Sequence, residues 1–283
     1  MKTPKRIESL VEEGLVDEVI GQLMSGKEAT VYVVRCGEAI RCAKVYKDAN
    51  KRSFRQSVKY TEGRKVKNSR RARAMEKGSR YGRKEQEDAW HNAEVDALRR
   101  LAAAGVRVPQ PHNFLDGVLL MEMVADENGN AAPRLNDLAF TAEQASVHHR
   151  TLIRQVVRML CAGIVHGDLS EYNVLVGANG PVIIDLPQAV DAAGNLSAGA
   201  MLERDVENLT RFFGRFDPAL RVTDYGKEIW ALYESGALHP EVELSGRFER
   251  IEPPPDVDGV LREIDDVVRE EEARQRYKAL MEQ

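Results

Sequence analysis

The feature that most constrains the fold lies at residues 173–185, where two short apolar runs, 173–176 and 181–184, flank a turn from Gly177 to Gly180. Such runs, bounded by turn residues, read as paired buried strands. Directly upstream stands His166-Gly167-Asp168-Leu169-Ser170-Glu171-Tyr172-Asn173, and the second run ends on Asp185. The polar segment is itself preceded by an amphipathic helix. That helix has Thr141 and Gln144 in capping-box positions, a stripe through Leu152, Ile153, Val156, Val157 and Leu160, and Gly163 as its stop. Helix, polar loop, strand, turn and strand therefore follow in that order.

Upstream, residues 16–24, 29–35 and 38–46 are apolar or alternating, punctuated by Gly21, Gly26 and Gly37, and predict a three-stranded meander. Residues 84–104 carry Ala89, Ala93, Val95, Ala97, Leu98 and Leu101 at helical spacing and stop at Gly105. Pro109 and Pro111 then break the chain, Asp116-Gly117 marks a hairpin turn, and residues 118–124 read as a buried strand. Helices resume at 198–213 and 218–233, and a Pro253-Pro254-Pro255 linker precedes a charged helix over 257–281. Strands first and helices after predict an α+β chain in two lobes, residues 1–124 and 125–245, with an appendage at 246–283.

The 283 residues suffice for a sizeable core, and 43% hydrophobic with 30% charged residues excludes disorder as the default. Cys36, Cys42 and Cys161 are odd in number and lack CxxC spacing, which argues against a disulfide framework or a zinc site. No apolar stretch reaches signal-peptide or membrane-span length, so a cytoplasmic protein is expected. The net charge of −4 conceals an asymmetry: residues 47–84 hold 15 Lys/Arg against 3 Asp/Glu, or +12, leaving −16 for the remainder. Such a block is a solvated segment or a site for phosphate groups or nucleic acid.

Phosphoryl transfer needs a carboxylate to orient the attacking hydroxyl and oxygen ligands to hold Mg²⁺ against the phosphates. Asp168 fits the first role, and Asn173 with Asp185 fits the second. A cation for the phosphates is expected on an upstream strand, and Lys44 interrupts the apolar run 42–46. Its helix partner is expected to be Glu94, with Asp96 and Glu87 as competitors because helix phase is not fixed by sequence. The segment Gly21 to Glu28 nearly spells a Walker loop. It fails because Glu28 replaces the Ser or Thr that binds Mg²⁺, and because residues 29–34 read as a strand where that loop must open a helix. A turn between strands, with its N–H groups and Lys27 over the phosphates, fits instead.

Ser25-Gly26-Lys27-Glu28-Ala29-x-Val31-Tyr32, Ala43-Lys44-Val45-Tyr46, Pro133-Arg134-Leu135, the segment 166–173 and Ile184-Asp185-Leu186-Pro187-Gln188 together resemble the signatures of the RIO family of atypical serine/threonine protein kinases. The resemblance spans roughly residues 14–213. It implies a two-lobed protein-kinase-like fold, trimmed of the activation loop and the peptide-binding helices. It also implies ATP and Mg²⁺ (or Mn²⁺) as cofactors, autophosphorylation, and an ATPase activity. By the same resemblance, Ser25 and Lys27 contact phosphate, Lys44 pairs with Glu94, and adenine bonds backbone at Glu122 and Val124. The segment before Val16 is too short for a winged-helix domain, which matches the branch lacking one, and the basic insertion matches the family's flexible loop in position.

Two other functions compete. An aminoglycoside-phosphotransferase-like small-molecule kinase shares H-G-D-x₄-N, but its characteristic ending after the strand-terminal Asp is absent. An RNA- or ribosome-assembly factor would use basic loop 47–84 to bind RNA or the small ribosomal subunit. His148-His149 is expected to be a surface pair, Trp90 and Trp230 packing residues, and Asp205 either a buttress of the catalytic loop or an exposed helix charge.

Overall fold

In a computed structural model that describes residues 4–26, 29–47 and 80–248, strands β1 (Glu18–Ser25), β2 (Ala29–Cys36), β3 (Ala39–Tyr46), β4 (Pro111–Leu115) and β5 (Val118–Glu122) form one antiparallel sheet in the order β1-β2-β3-β5-β4. Side chains alternate across it as the pleat requires. Ala43, Val45, Val118 and Leu120 join one apolar cluster with Val19 and Val34, while Tyr46 and Leu119 join another on the opposite face. Lys44 shares the second face with Tyr46, two residues on in the same strand. The sequence predicted three strands and a later isolated one. It missed β4 because Pro111 looked like a break, whereas a proline at the first position of an edge strand removes no ladder bond.

The first face is covered by α1 (Lys5–Glu12), where Ile7 and Leu10, three residues apart, are fully buried and Arg6 donates to the Tyr46 carbonyl at 2.5 Å. The second face receives α2 (Arg80–Ala103) through Val95, Leu98 and Leu101. This helix starts four residues earlier than the periodicity predicts, inside the expected basic loop. The rest of that loop, Lys27 and the residues beyond 248 lie outside the described residues.

The remaining elements build the larger core. Helix α3 (Ala142–Cys161) opens with the predicted capping box: Gln144 N–H donates to the Thr141 hydroxyl at 3.2 Å, and Thr141 N–H donates to the side-chain Oε1 of Gln144 at 3.0 Å. It stops at Gly163, whose φ of 72° suits glycine alone at little strain. Strands β6 (Ile164–Val165) and β9 (Val190–Asp191) pair, as do β7 (Val174–Gly177) and β8 (Gly180–Ile183). Helix α4 (Ala198–Phe213), a 3₁₀ turn at Pro218–Val222 and α5 (Tyr225–Glu234) complete the packing. One helix was expected to run unbroken over 218–233. Instead Asp217 caps a separate 3₁₀ turn by accepting from Ala219 N–H, and α5 starts afresh. Contrary to expectation, His149 is not on the surface: it is 1% exposed, shares a hydrogen bond with the Thr210 hydroxyl at 3.0 Å, and burial depresses its pKa to about 4. No described helix is long and apolar enough to cross a membrane.

Candidate active site

Strand β3 delivers Lys44 to the α2 face, where its Nζ donates to Glu94 Oε1 at 2.5 Å and to Asp185 Oδ1 at 2.9 Å. Glu94 is 5% exposed, whereas Asp96 is exposed and paired loosely with Arg99, so of these two the partner is Glu94; the side chain of the other competitor, Glu87, lies outside those described. Burial works against the lysine's charge, but the two carboxylates outweigh it and hold its pKa well above the usual value. Partial burial would likewise raise Asp185, yet the Lys44 charge and hydrogen bond prevail, aided by His166 and Arg134, and its pKa lies below the ordinary carboxylate value. Asp185 also adopts φ 67°, a left-handed conformation that Asp tolerates better than most residues. Local strain of this kind persists where surrounding contacts over-determine the backbone.

The polar loop after β6 is held from below by α4. Asp205, 1% exposed, accepts from Gly167 N–H at 2.8 Å and from Leu169 N–H at 2.9 Å, bracketing Asp168. Arg204 donates to the Gly167 carbonyl and Asn208 to the Leu169 carbonyl. Burial pushes the Asp205 pKa up to about 6, against the pull of His166 and the two N–H donors. The sequence left Asp205 open between buttress and surface charge. Its two bonds settle it as a buttress.

Asp168 is exposed at the crest of this loop. Asn173 Nδ2 donates to its carbonyl at 2.8 Å and lies 3.5 Å from its carboxylate, as does Gln188 Nε2. The Nδ2 bond to the Asp168 carbonyl fixes the Asn173 amide, whose side-chain oxygen is its one atom able to meet a cation. His166 ties this loop to the segment after β8 that bears Asp185: its Nε2 donates to the Ile184 carbonyl at 3.1 Å, and its Nδ1 accepts from Asp168 N–H at 3.3 Å. Ile184 N–H donates to the Asn173 carbonyl at 3.0 Å. The structure thus brings Lys44, Glu94 and Asp185 into one cluster and links it through backbone bonds to Asp168 and Asn173.

The other expected residues are arranged differently. Ser25 Oγ lies 3.3 Å from Thr30 Oγ1 and accepts from Lys47 Nζ at 3.0 Å, and Lys47 also donates to the Gly26 carbonyl at 2.6 Å. Lys47 was not singled out, because a lysine just past a strand carries no signal. The Glu122 carboxylate takes a bidentate pair of bonds from Arg107, 2.8 and 2.6 Å, so its side chain is structural. Glu122 N–H donates to Gln110 and the Val124 carbonyl accepts from Ala132, which narrows a base contact there to the Glu122 carbonyl and the Val124 N–H.

Comparison with known proteins matches the RIO domain family model to residues 30–225. The chain is 35% identical over 211 residues to the RIO-type serine/threonine-protein kinase Rio1 of Haloferax volcanii, covering 74% of this chain and 68% of that one. It is 33% identical over 209 residues to the Methanocaldococcus jannaschii protein described in the same words, covering 73% and 67%. Against serine/threonine-protein kinase RIO1 of Chaetomium thermophilum it is 32% identical over 221 residues, 73% of this chain but 41% of that longer one. With an α+β kinase-like fold around a lysine, glutamate and aspartate cluster and a family match over most of its length, this chain belongs to the RIO family of serine/threonine protein kinases.

Proposed function

We propose that Asp168 is the catalytic carboxylate of this RIO-type kinase, that Lys44 carries the nucleotide phosphates, and that Asn173 and Asp185 hold the divalent cation. The observation that carries the reading is the position of Lys44 between Glu94 and Asp185: a largely buried ammonium fixed by two carboxylates, one of which follows the strand stitched to the Asp168 loop. Mg²⁺ fits the donor set, because the Asp185 carboxylate and the Asn173 amide oxygen are hard oxygen ligands; when bound it would neutralise charge on the phosphates.

The chain's own residues then act as follows. Lys44 turns its ammonium from Asp185 to phosphate oxygens while Glu94 retains it. The Glu122 carbonyl and Val124 N–H orient the base, and the Ser25 turn, with Lys27, covers the phosphates. Asp168 orients the acceptor hydroxyl and takes its proton as the oxygen bonds the γ-phosphorus and the bond to the bridging oxygen of ADP breaks. Water in place of the hydroxyl would give ATP hydrolysis. Residues 1–124 would thus hold nucleotide and residues 125–245 supply the reacting groups.

Autophosphorylation within segment 47–84, supported by Ser53, Ser57, Ser69 and Ser79 tethered between a strand and a helix, and attachment of that segment to RNA or the small ribosomal subunit, supported by its charge of +12, belong to the same proposal. A cytoplasmic location is supported by three free cysteines. The test is incubation with labelled ATP and Mg²⁺, with Mn²⁺ in parallel, resolving phosphoprotein, free phosphate and phosphorylated small molecules. Label on serine or threonine that disappears in Asp168→Asn supports the reading. Label only on an aminoglycoside-type acceptor would reject it.

A further inference from the structure

A second concave surface adjoins the catalytic loop. It is a cleft of about 490 Å³ whose wall includes Glu171, three residues after Asp168, together with Glu207, Arg211, Phe212, Arg215 and Arg221 from α4 and the turn that follows it. The site proposed above uses none of these side chains.

The cations are not equivalent. Arg211 is neutralised by Glu207 at 2.7 Å, one helical turn away. Arg215 and Arg221 have no carboxylate within ion-pair distance among the described residues. Arg215 is nonetheless held in place, and the stem of Arg221 is packed close to backbone. The Arg215 guanidinium stacks 4.4 Å from the Phe212 ring centroid and donates through Nε to the Phe212 carbonyl at 3.2 Å. The Arg221 stem lies over Gly214 so closely that a Cβ there would stand 2.6 Å from its Cγ. Two unpaired guanidinium groups, one of them fixed by stacking on Phe212, are suited to bidentate recognition of carboxylates, and at Arg215 little side-chain freedom is lost on binding. Next in sequence to the wall residues Arg221 and Glu171, Val222 and Tyr172 are 83% and 52% exposed and offer apolar surface at positions adjoining the cleft.

We infer that this cleft binds an acidic stretch of the protein substrate, with Arg215 and Arg221 as its carboxylate clamps, and so draws the neighbouring serine or threonine towards Asp168. The inference rests on the kinase reading of the site. Glu171 and Glu207 in the same wall disfavour a continuous polyanion such as a nucleic-acid strand and favour a peptide whose charge is local.

The experiment measures binding and turnover separately. A fluorescein-labelled serine peptide with an adjoining run of glutamates is compared with its glutamine counterpart by anisotropy, which needs no catalysis, and both are then used as substrates. The glutamate peptide should bind the wild-type protein more tightly, and each loss of a clamp in Arg215→Gln and Arg221→Gln should weaken it about tenfold, in a salt-dependent way. The glutamine peptide, the KM for ATP and basal ATP hydrolysis should not change. Because Arg215 also packs on Phe212, a reversal that spares it provides the control: Arg221→Glu should lose the glutamate peptide and gain one with lysines in those positions. Equal affinity of the wild-type protein for the glutamate and glutamine peptides overturns the inference, as does tighter binding of a short RNA that the arginine variants lose. If the glutamate peptide binds through the clamps but is never phosphorylated, the cleft stands and the catalytic assignment falls.

Discussion

Replacing Asp205 by Asn separates stability from activity. In the folded chain the carboxylate accepts two backbone N–H bonds, at 2.8 and 2.9 Å, from the residues on either side of Asp168. Burial nevertheless dominates and moves its pKa from the ordinary 3.8 to about 6. That difference corresponds to about 3 kcal/mol against the ion at neutral pH. Because the folded-state pKa is raised, the favourable contribution of this carboxyl to stability is complete below pH 3.8 and is lost as pH rises through 6. An amide resembles the protonated acid, with one acceptor and one donor face, and never charges. Asp205→Asn should therefore match the wild type in stability near pH 4 and exceed it by up to about 3 kcal/mol near pH 7. Activity should move the other way. The amide can accept only one of the two N–H groups, and an orphaned buried donor costs about 1–3 kcal/mol, so the loop relaxes and turnover falls roughly ten- to a hundredfold. The same loosening predicts an acid limb near pH 6 in the wild-type rate that is missing from the variant. Thermal unfolding across that pH range and the pH profile of kcat are the assays. Wild-type turnover with an unchanged acid limb, or a uniform loss of stability at every pH, would refute the reasoning.

Asp185→Asn should abolish turnover while binding of adenosine persists, which calorimetry would show; undiminished phosphoryl transfer would remove Asp185 from the metal site. Asp168→Asn should leave the affinity for Mg-ATP intact and slow the chemical step by ~10² to 10⁴, read from single-turnover rates. Glu94→Gln should destabilise the fold by about 3 kcal/mol, the lower end for breaking a buried pair, because Asp185 still meets Lys44; no change in Tm would contradict this. Gly199→Ala places a Cβ 2.7 Å from the Trp230 ring and should cost about 1–3 kcal/mol by overpacking, with altered tryptophan fluorescence as the local readout.

Residues whose chemistry is local are legible in the sequence alone. Thr141 and Gln144 announce a capping box because both partners lie within four residues. The β7–β8 hairpin and α4 follow from runs whose polarity changes abruptly at glycine or proline. Asp168, Asn173 and Asp185 stood out because three polar groups at fixed spacing interrupt apolar sequence. Less was legible where the cause lies far along the chain. Glu94 could be preferred but not fixed, since the face a helix presents depends on Lys44, 50 residues away. Helix α1 passed unnoticed because two buried side chains, Ile7 and Leu10, are too few to form a stripe. His149 was misread for the complementary reason: its partner Thr210 lies 61 residues downstream, and nothing beside it in sequence marks a buried imidazole. Lys47 and the arginines of the second cleft carry no pattern at all, because a lone cation in polar sequence looks the same whether it is solvated or clamped.

The stitching of Ile184 N–H to the Asn173 carbonyl makes β7 and β8 a caliper with a fixed gap. The two proposed metal ligands flank it, Asn173 just before β7 and Asp185 two residues beyond β8, while Lys44 belongs to a different sheet and touches only Asp185. A displacement of that sheet would therefore stretch the contact between Lys44 and Asp185 and leave the spacing of Asn173 and Asp185 unaltered. Metal affinity and phosphate affinity become separately adjustable quantities: the first is written into the hairpin, the second into the distance between the hairpin and β3.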